Sequence, residues 1–434
     1  MKKYDVIIIG GGVTGTSILY LLSKYTNIKS VALLEKYKEV ATVSSNHTNN
    51  SQTLHYGDIE TNYTKEKATK VKDAARLVAG YVEKNGNHLF KKTKKMVLAV
   101  GEKEVAELEQ RFEDLQDIFP NLKKLQRNEL AEIEPNLIKG RGSEKVLALC
   151  SEDGYAINFH ALSKSFVKKA LEEDKTVDVF LNQEVTKISK SDIYTVRTKD
   201  MKLQAKTIIV AAGAHSLIIA QELGYGNHFI ILPGLGDFYK GKNLLQNKVY
   251  MMQIKKLPFA AVHGDPDVTD PSMTRFGPTT KVLPILERRN IKTFFDFLRV
   301  FHLRWNAIGS VVKILSDKDI FKFVMRSFLY DLPFIGKKIF VNLNVKKIIP
   351  SIKASDLEYG KGLGGLRPQL VDIKERKLLK GEVKVVGDNI IFNMTPSPGA
   401  SVCLMNAETD TQTIMKFLGE SYFFDKDRFR KDVG

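Results

Sequence analysis

The chain has 434 residues, a length that favours two or three domains over one small core. It has only two cysteines, Cys150 and Cys403, which excludes a disulfide framework and a clustered thiolate metal site. Its formal net charge of +17 indicates an anionic partner, whether nucleic acid, anionic lipid or small anions. No run of eighteen uninterrupted apolar residues occurs, so we expect no transmembrane helix.

The first residues carry a pattern typical of a dinucleotide site. The apolar run from Tyr4 to Ile9 lacks polar alternation, which predicts a buried parallel strand. Gly10, Gly12 and Gly15 follow with the G-x-G-x-x-G spacing, which allows a tight turn, close approach of a pyrophosphate and close packing of helix on strand. A helix predicted to begin near Val13 turns its positive end towards the phosphates.

The next predicted strand strengthens this interpretation. The segment SVALLEK contains Glu35, twenty positions after Gly15, where a carboxylate can accept hydrogen bonds from the ribose hydroxyls of an adenosine. We therefore predict an adenine dinucleotide site, and these residues fit FAD and NAD equally.

Two later segments are predicted to extend the same fold. Asn158 is predicted to cap a helix that leads to a strand, VDVFLNQEVTKI, which contains Val185. The segment AKTIIVAAGAHS indicates another buried strand that ends in small residues, and Gly213 there lets a backbone approach a ligand closely.

The charge is concentrated in one stretch of the chain. Residues 281–353 contain fifteen Lys and Arg against five Asp and Glu, so they carry +10 of the net charge. Residues 284–350 are also rich in large apolar side chains and are predicted to form mainly helices. They form either a helical cap with solvated lysines or a helical surface that lies in an anionic membrane interface. Because the charges coincide with apolar helix faces, we expect an anionic membrane surface as partner and no nucleic acid.

Longer motifs point to a family. The N-terminal glycine turn, the segment IIVAAGAHS, and the C-terminal segments GLGGLRPQ and TPSPGAS resemble the FAD-dependent oxidoreductases of the D-amino-acid-oxidase type. Within that group, SSNHTNNSQTLHYGDIETNYT and AVHGDPDVTDPSMTRFGPTTKVLP resemble the malate:quinone oxidoreductases. The resemblance spans nearly the whole chain.

The resemblance implies a two-domain FAD-linked reductase fold of the α/β (α+β) class. A Rossmann-like domain binds FAD non-covalently, and a substrate domain is built on an antiparallel sheet and helices. We expect a discontinuous FAD domain over residues 1–85, 150–227 and 355–434. The substrate domain is then expected over residues 86–149 and 228–354.

The resemblance also implies the residues that contact FAD. A polar loop of residues 44–53 is expected beside the flavin, Val185 meets the adenine through its backbone, and the glycines Gly364 and Gly365 let a GLGGLRP loop reach the ring. The positions that match the family's FAD contacts are Gly10, Gly12, Val13, Thr14, Gly15, Glu35, Lys36, Ser44, Asn50, Ser51, Gln52, Thr53, Val185, Ala212, Gly213, Gly365, Pro398, Gly399, Ala400 and Ser401.

The implied reaction is the oxidation of a 2-hydroxy acid, (S)-malate to oxaloacetate, with electrons passed to membrane quinone. The enzyme is expected as a peripheral protein on the cytoplasmic side of the cytoplasmic membrane. L-Lactate and L-2-hydroxyglutarate are alternative substrates, and an amino-acid oxidase is an alternative enzyme. An FAD-containing RNA-binding protein is the alternative from another class.

Oxidation of a secondary alcohol needs a base for the hydroxyl proton and a cation for the carboxylate. His263, at the end of a predicted strand, is the expected base because histidine titrates in the right range. Arg367 and Arg275 are the expected carboxylate partners, since a guanidinium binds a carboxylate through two hydrogen bonds. The polar loop supplies further candidates for binding the substrate or the flavin: His47, Asn50, Gln52 and His55. No metal site is predicted.

Overall fold

The computed structural model describes residues 1–253, 261–302, 305–379, 381–394 and 398–434. Its strands are β1 Lys2–Ile9, β2 Ser30–Leu34, β3 Phe90–Lys92, β4 Lys95–Val100, β5 Leu122–Leu125, β6 Val146–Ser151, β7 Tyr155–Ile157, β8 Thr176–Phe180, β9 Lys187–Lys190, β10 Tyr194–Arg197, β11 Lys202–Val210, β12 Phe229–Lys242, β13 Lys248–Met251, β14 His263–Pro266, β15 Met273–Val282, β16 Glu358–Asp372, β17 Lys377–Leu378, β18 Val383–Gly387 and β19 Ile390–Met394. Its α-helices are α1 Val13–Tyr25, α2 Lys65–Asn85, α3 Glu102–Leu115, α4 Arg127–Ile133, α5 Phe159–Leu171, α6 His215–Glu222, α7 Thr293–Phe301, α8 Trp305–Leu315, α9 Lys318–Tyr330, α10 Gly336–Phe340, α11 Lys346–Ile348, α12 Cys403–Leu418 and α13 Lys426–Val433.

The first sheet has a parallel core in the order β19, β11, β1, β2, β8, with β18 antiparallel at its edge. Strands β9 and β10 extend β11 in antiparallel fashion. Because β1 lies between two parallel neighbours and under helices on both faces, its residues 4–9 are all buried. The predicted parallel strand, and the helix beginning at Val13, are confirmed.

The second sheet runs in the order β17, β16, β12, β15, β14, β13, β4, β6, β5. Its neighbours pair antiparallel, except that β13 and β4 run parallel. The prediction that GLGGLRP forms a loop is wrong, because Gly364 and Gly365 lie inside β16 and pair with Asp237 and Gly236 of β12. The hydrogen bonds between two strands are made by backbone N–H and C=O groups and need no side chains, so the glycine run is compatible with a strand there.

The prediction that Val185 lies in a strand is wrong. The segment VDVFLNQEVTKI forms β8 and β9 with residues 181–186 between them. Its hydrophobic residues belong to two short strands that pair with different partners, β2 and β10, so one continuous strand is not formed.

The strands of the two sheets alternate along the chain. The first sheet uses residues 2–34, 176–210 and 383–394, and the second uses 95–151, 229–282 and 358–378. Strand β16 thus pairs in the second sheet although it follows the boundary expected at residue 355. The division into domains at the expected bounds stays a prediction.

The basic stretch forms helices, as predicted. Helices α7 to α11 lie between β15 and β16, and a π-helical turn, Val341–Val345, joins the last two. Within the described ranges, none of the helices combines the length and the apolar character needed to span a bilayer.

Candidate active site

The turn between β1 and α1 is shaped by positions that tolerate no side chain. Gly10 has a φ of +104°, and a Cβ there would lie 2.5 Å from the carbonyl oxygen of Ala211. A Cβ on Gly15 would lie 1.9 Å from the carbonyl oxygen of Gly10, so Gly15 lets α1 pack closely on the turn. Gly12 is the N-cap of α1 and brings no side chain to its amide end. The turn therefore leaves room for an anion at that end of the helix.

Glu35 follows β2 directly and lies beside this turn. Its Oε2 accepts a hydrogen bond from the amide of Gly11 at 2.7 Å, and its Oε1 accepts one from the amide of Tyr37 at 2.9 Å. Burial raises the pKa of the Glu35 carboxyl, and the two amides oppose that effect. The amides fix the carboxylate in place, and its remaining lone pairs can accept hydrogen bonds from ribose hydroxyls.

A cavity of about 580 Å³ begins at this turn and is lined by residues of both sheets. Its volume lies in the usual range for cofactor pockets, roughly 300–1,000 Å³. The predicted FAD contacts that line it are Gly10, Gly12, Val13, Thr14, Glu35, Lys36, Ser44, Asn50, Ser51, Thr53, Val185, Ala212, Gly213, Gly365, Pro398, Gly399, Ala400 and Ser401. Gly15 and Gln52 do not line it. The glycine turn, the fixed carboxylate and the volume together fit a bound dinucleotide.

The wall of this cavity includes a histidine that is oriented by a carboxylate. His55 lines the cavity, and its Nδ1 lies 2.5 Å from Oε1 of the buried Glu60. Burial favours a raised pKa for Glu60, but the hydrogen bond from His55 holds that pKa below its usual value. In the tautomer that this contact favours, Nδ1 donates to Glu60, which leaves the lone pair on Nε2. Within the described chain, Nε2 makes no hydrogen bond.

Arg367 lines the same cavity. The guanidinium is buried, and the side chain as a whole is half-buried in the cavity wall. Burial lowers its pKa, an effect opposed by Tyr250 and Tyr63. No carboxylate of the described residues pairs with it. Because an enclosed guanidinium without a counter-ion is costly, Arg367 is suited to bind an anionic ligand.

His263 does not face the cavity, which corrects the position expected for it. The side chain is fully buried, and its ring stacks on Tyr250 with centroids 4.5 Å apart. Its Nδ1 lies 3.0 Å from the carbonyl oxygen of Ala261, and its Nε2 lies 3.3 Å from Asp265 without the alignment of a hydrogen bond. Burial lowers the pKa of His263 to about 4, so the ring is neutral at physiological pH.

Arg275 is also turned away from the cavity. Its guanidinium lies 2.5 Å from Asp265 and 3.3 Å from Asp267, and all three side chains are buried. Lys248 lies 3.1 Å from the same carboxylate of Asp265. Both cations donate to the carbonyl oxygen of Ser51, at 3.3 Å from Arg275 and 3.2 Å from Lys248. We call these four side chains, Asp265, Asp267, Arg275 and Lys248, the buried ion cluster. The cluster holds the polar loop in place through the Ser51 carbonyl.

Gln52 and His47 belong to the inner side of the same loop, and neither lines the cavity. The side chain of Gln52 donates to Asp267 at 3.0 Å and accepts from the amide of Val268 at 2.8 Å. The ring of His47 stacks on His160 with centroids 6.3 Å apart. Of the four predicted substrate contacts Arg275, Arg367, His47 and Gln52, the structure therefore brings only Arg367 to the cavity, and the polar-loop candidates Asn50 and His55 line it as well.

Sequence reasoning missed the partners that orient the site. Glu60 follows His55 by five residues in one quoted motif, and that spacing was the available signal. Nothing in the sequence pointed to Lys248 or Tyr250, because they lie some two hundred residues from the loop they contact. The Tyr250 hydroxyl lies 2.6 Å from Oγ1 of Thr53, which lines the cavity.

Comparison with known proteins agrees with this geometry. The family model for FAD dependent oxidoreductases (DAO) matches residues 5–279. A probable malate:quinone oxidoreductase of Campylobacter jejuni is 39% identical over 100% of this chain and 99% of its own. A malate:quinone oxidoreductase of Helicobacter pylori is 42% identical over 99% of this chain and 98% of its own.

Solved structures share the fold at lower identity. L-alpha-glycerophosphate oxidase from Mycoplasma pneumoniae, solved with FAD bound, has a TM-score of 0.67 at 20% identity over 95% of both chains. Glycine oxidase from Geobacillus kaustophilus has a TM-score of 0.65 at 15% identity over 95% of both chains. The chain belongs to the FAD-dependent oxidoreductases, and within them to the malate:quinone oxidoreductase family.

Proposed function

We propose that this protein is a peripheral membrane enzyme that oxidises (S)-malate to oxaloacetate and passes the electrons to quinone. The observation that carries the proposal is one cavity that combines a dinucleotide cradle, an arginine that pairs with no carboxylate of the described residues, and a histidine oriented by a carboxylate. The relatives from Campylobacter jejuni and Helicobacter pylori, at 39% and 42% identity over nearly whole chains, support malate and quinone as the reactants.

Arg367 is the proposed anchor for a substrate carboxylate. A guanidinium can donate two parallel hydrogen bonds to a carboxylate, which fixes both the position and the orientation of the acid. Because the interaction is made inside an enclosed cavity, it is stronger than the same pair in water. Arg275 contributes no second anchor in this proposal, since Asp265 and Asp267 already neutralise it.

His55 is the base that the geometry favours. Bound FAD supplies the two-electron acceptor for the alcohol carbon. The lone pair of His55 Nε2 takes the hydroxyl proton, and Glu60 stabilises the imidazolium that results. The alcohol thus loses two electrons and two protons, and quinone gains the same number. His263, the base expected from sequence, is less suited because burial lowers its pKa to about 4, which makes it a weak base, and because it lies outside the cavity wall.

The test of the reaction is anaerobic bleaching of the flavin by single substrates. We expect malate to bleach the bound flavin at least as fast as the enzyme turns over. Lactate, 2-hydroxyglutarate and amino acids should bleach it far more slowly. The same samples are then mixed with a short-chain quinone, which should restore the yellow colour. Faster bleaching by another acid would change the substrate, and bleaching by none would contradict the redox role.

Helices α7 to α10 are the proposed membrane contact. Their large exposed apolar side chains, with the fraction exposed, include Phe295 (70%), Trp305 (86%), Val312 (60%), Phe321 (53%), Phe328 (54%) and Phe334 (104%). Exposed lysines and arginines lie among them at Lys292, Lys313, Lys318, Lys322, Arg326 and Lys338. So many exposed large apolar side chains within one stretch of the chain are unusual on a protein that contacts only water. An anionic lipid surface can bury the apolar side chains and attract the cations, and each cation contributes about 1 kcal/mol to membrane binding.

Sedimentation with lipid vesicles tests this contact. At low salt the holoenzyme should pellet with phosphatidylglycerol vesicles and stay in solution with phosphatidylcholine vesicles. The variant with both Trp305→Ser and Phe334→Ser should bind at least tenfold more weakly, because it removes the two most exposed aromatic side chains. A matched control, Leu171→Ser, changes an exposed apolar residue on α5 and should bind like the wild type. Equal pelleting with both lipids would contradict the proposal.

A further inference from the structure

Helix α7 has one face against the cofactor cavity and one face in solvent. On the inner face, Val300 is buried in the core beneath the first sheet, and Asp296 and Arg299 line the cavity. On the outer side, Phe295 is 70% exposed, and Ile291 just before the helix is 82% exposed. A single short helix therefore touches both the proposed membrane contact and the wall of the cofactor site.

The segment that leads into α7 is tied to the adenosine end of the cavity by Glu287. Glu287 is buried, lines the cavity and forms an ion pair with Lys36. It accepts a hydrogen bond from the Tyr37 hydroxyl at 2.5 Å, and the amide of Tyr37 in turn donates to Glu35. Burial opposes ionisation, but Lys36 holds the pKa of Glu287 below its usual value. The Glu35 carboxylate is thus linked to the segment before α7 through Tyr37 and Glu287.

A second set of contacts joins α7 to α6, which begins just after Gly213 on the cavity wall. His215 Nε2 lies 3.4 Å from Asp296, and its Nδ1 lies 3.7 Å from Glu287. Arg299 forms an ion pair with Glu222 at the other end of α6. These contacts are polar and face the cavity, so their free energy depends on what the cavity contains.

The same segment is closed by its own hydrogen bonds. Thr293 Oγ1 accepts from the amides of Leu286 and Glu287, at 3.1 and 3.2 Å, and Leu286 is buried in the core. The position of Glu287 is therefore set by the start of α7. A displacement of α7 from the core would move Glu287 away from Lys36 and Tyr37.

We propose that α7 is a wall of the adenosine end of the FAD site and couples FAD retention to membrane binding. Lipid that covers Phe295 and Ile291 holds α7 against the core, which keeps Glu287 in contact with Lys36 and slows the release of FAD. The coupling rests on the membrane contact proposed above. By linkage, bound FAD strengthens membrane binding by the factor by which lipid raises the equilibrium affinity for FAD.

The experiment measures the rate of FAD release from the holoenzyme, read as the rise in free-FAD fluorescence after dilution. Phosphatidylglycerol vesicles should slow release from the wild type by roughly fivefold or more. Glu287→Gln should speed release at least fivefold without vesicles, since it removes the charge that pairs with Lys36. The control Glu102→Gln, which changes the exposed ion pair of Glu102 with Lys145 away from α7 and the cavity wall, should release FAD like the wild type.

Phe295→Ser separates the two faces of the helix. Without vesicles, this variant should release FAD at the wild-type rate. With vesicles it should still bind, because the other helices hold it on the membrane, but most of the slowing of FAD release should be lost. Sedimentation in the same samples shows whether the protein is bound. Bound wild type that releases FAD at the free rate would overturn the coupling and leave the membrane contact standing. Wild type that does not pellet would overturn both, and unchanged release from Glu287→Gln would overturn α7 as a wall of the site.

Discussion

Two parts of the same cavity wall are built in opposite ways. The part around the β1–α1 turn consists of backbone, and its one carboxylate, Glu35, is held by main-chain amides. The part around His55 and Arg367 consists of side chains, and behind it lie the buried ion cluster and a second buried pair, Lys95 with Asp58 at 2.8 Å. In the proposed function, the first part recognises its ligand through backbone that carries no side chains, and the second through charged side chains that are already in position.

This difference determines which substitutions each part can accept. An added methyl group should be harmful in the backbone part, and a changed charge should be harmful in the side-chain part. Substitutions of each kind, made in both parts, therefore test this difference.

The largest effect is expected at His55. His55→Gln should lower turnover by about 10²–10⁴-fold, the usual contribution of a positioned base, and leave the FAD content unchanged. The pre-steady-state rate of flavin bleaching by malate measures this step directly. The same change at the buried His263 serves as the comparison, and its bleaching rate should fall far less. A greater loss at His263 than at His55 would return the role of base to His263.

The next effect is expected at Arg367. Replacing it with Met removes the proposed carboxylate anchor and should lower kcat/KM for malate by about 10²-fold, since truncation of one partner of a buried charge pair costs roughly 2–5 kcal/mol. Arg367→Lys keeps the charge and should lose less of kcat/KM than Arg367→Met, and the loss that remains should appear as a raised KM. Lys374→Met, an exposed cation just after β16, is the control. Wild-type kinetics in Arg367→Met would place the carboxylate elsewhere.

His263, which lies beside the buried ion cluster, should appear as a pH dependence of stability. Burial lowers the pKa of His263 to about 4, below the ordinary 6.5, so the unfolded chain binds a proton that the folded chain does not. His263 therefore destabilises the fold as pH falls from 6.5 towards 4, by about 3 kcal/mol in all. Urea unfolding at several pH values should show a flatter acid limb for His263→Gln than for the wild type. The exposed His88→Gln should show the wild-type slope.

The same contrast explains what sequence could predict. The backbone part is encoded locally: Gly10, Gly12, Gly15 and Glu35 lie within one strand, turn, helix and strand, and each is placed as predicted relative to that unit. The Asn158 cap was also predictable, because its side chain bonds to Ala161 three residues on.

The side-chain part depends on pairing between distant segments. Nothing local to Arg275 shows that Asp265 and Asp267 neutralise it, because the register of β14 on β15 decides which side chains meet. Likewise, motif similarity marked the segment of His263 as special but did not show that its ring stacks on Tyr250 rather than facing the cleft. Residue type alone could not distinguish a substrate contact from a support behind the loop.

The smallest effect, and the most specific test of the backbone part, is expected at Gly12. A Cβ there would meet only Ser45 Oγ at 3.5 Å, which is ordinary contact, so Gly12→Ala should fold and melt like the wild type without FAD. With FAD, the methyl group lies at the amide end of α1, where the pyrophosphate is proposed, and release should be about tenfold faster, or 1.4 kcal/mol, a factor set by one close contact. Gly309→Ala, on α8 with no atom within 4 Å of the added carbon, controls for the substitution itself. Equal FAD release from all three proteins would mean that the phosphates do not approach Gly12, and the backbone part would then lose its proposed ligand.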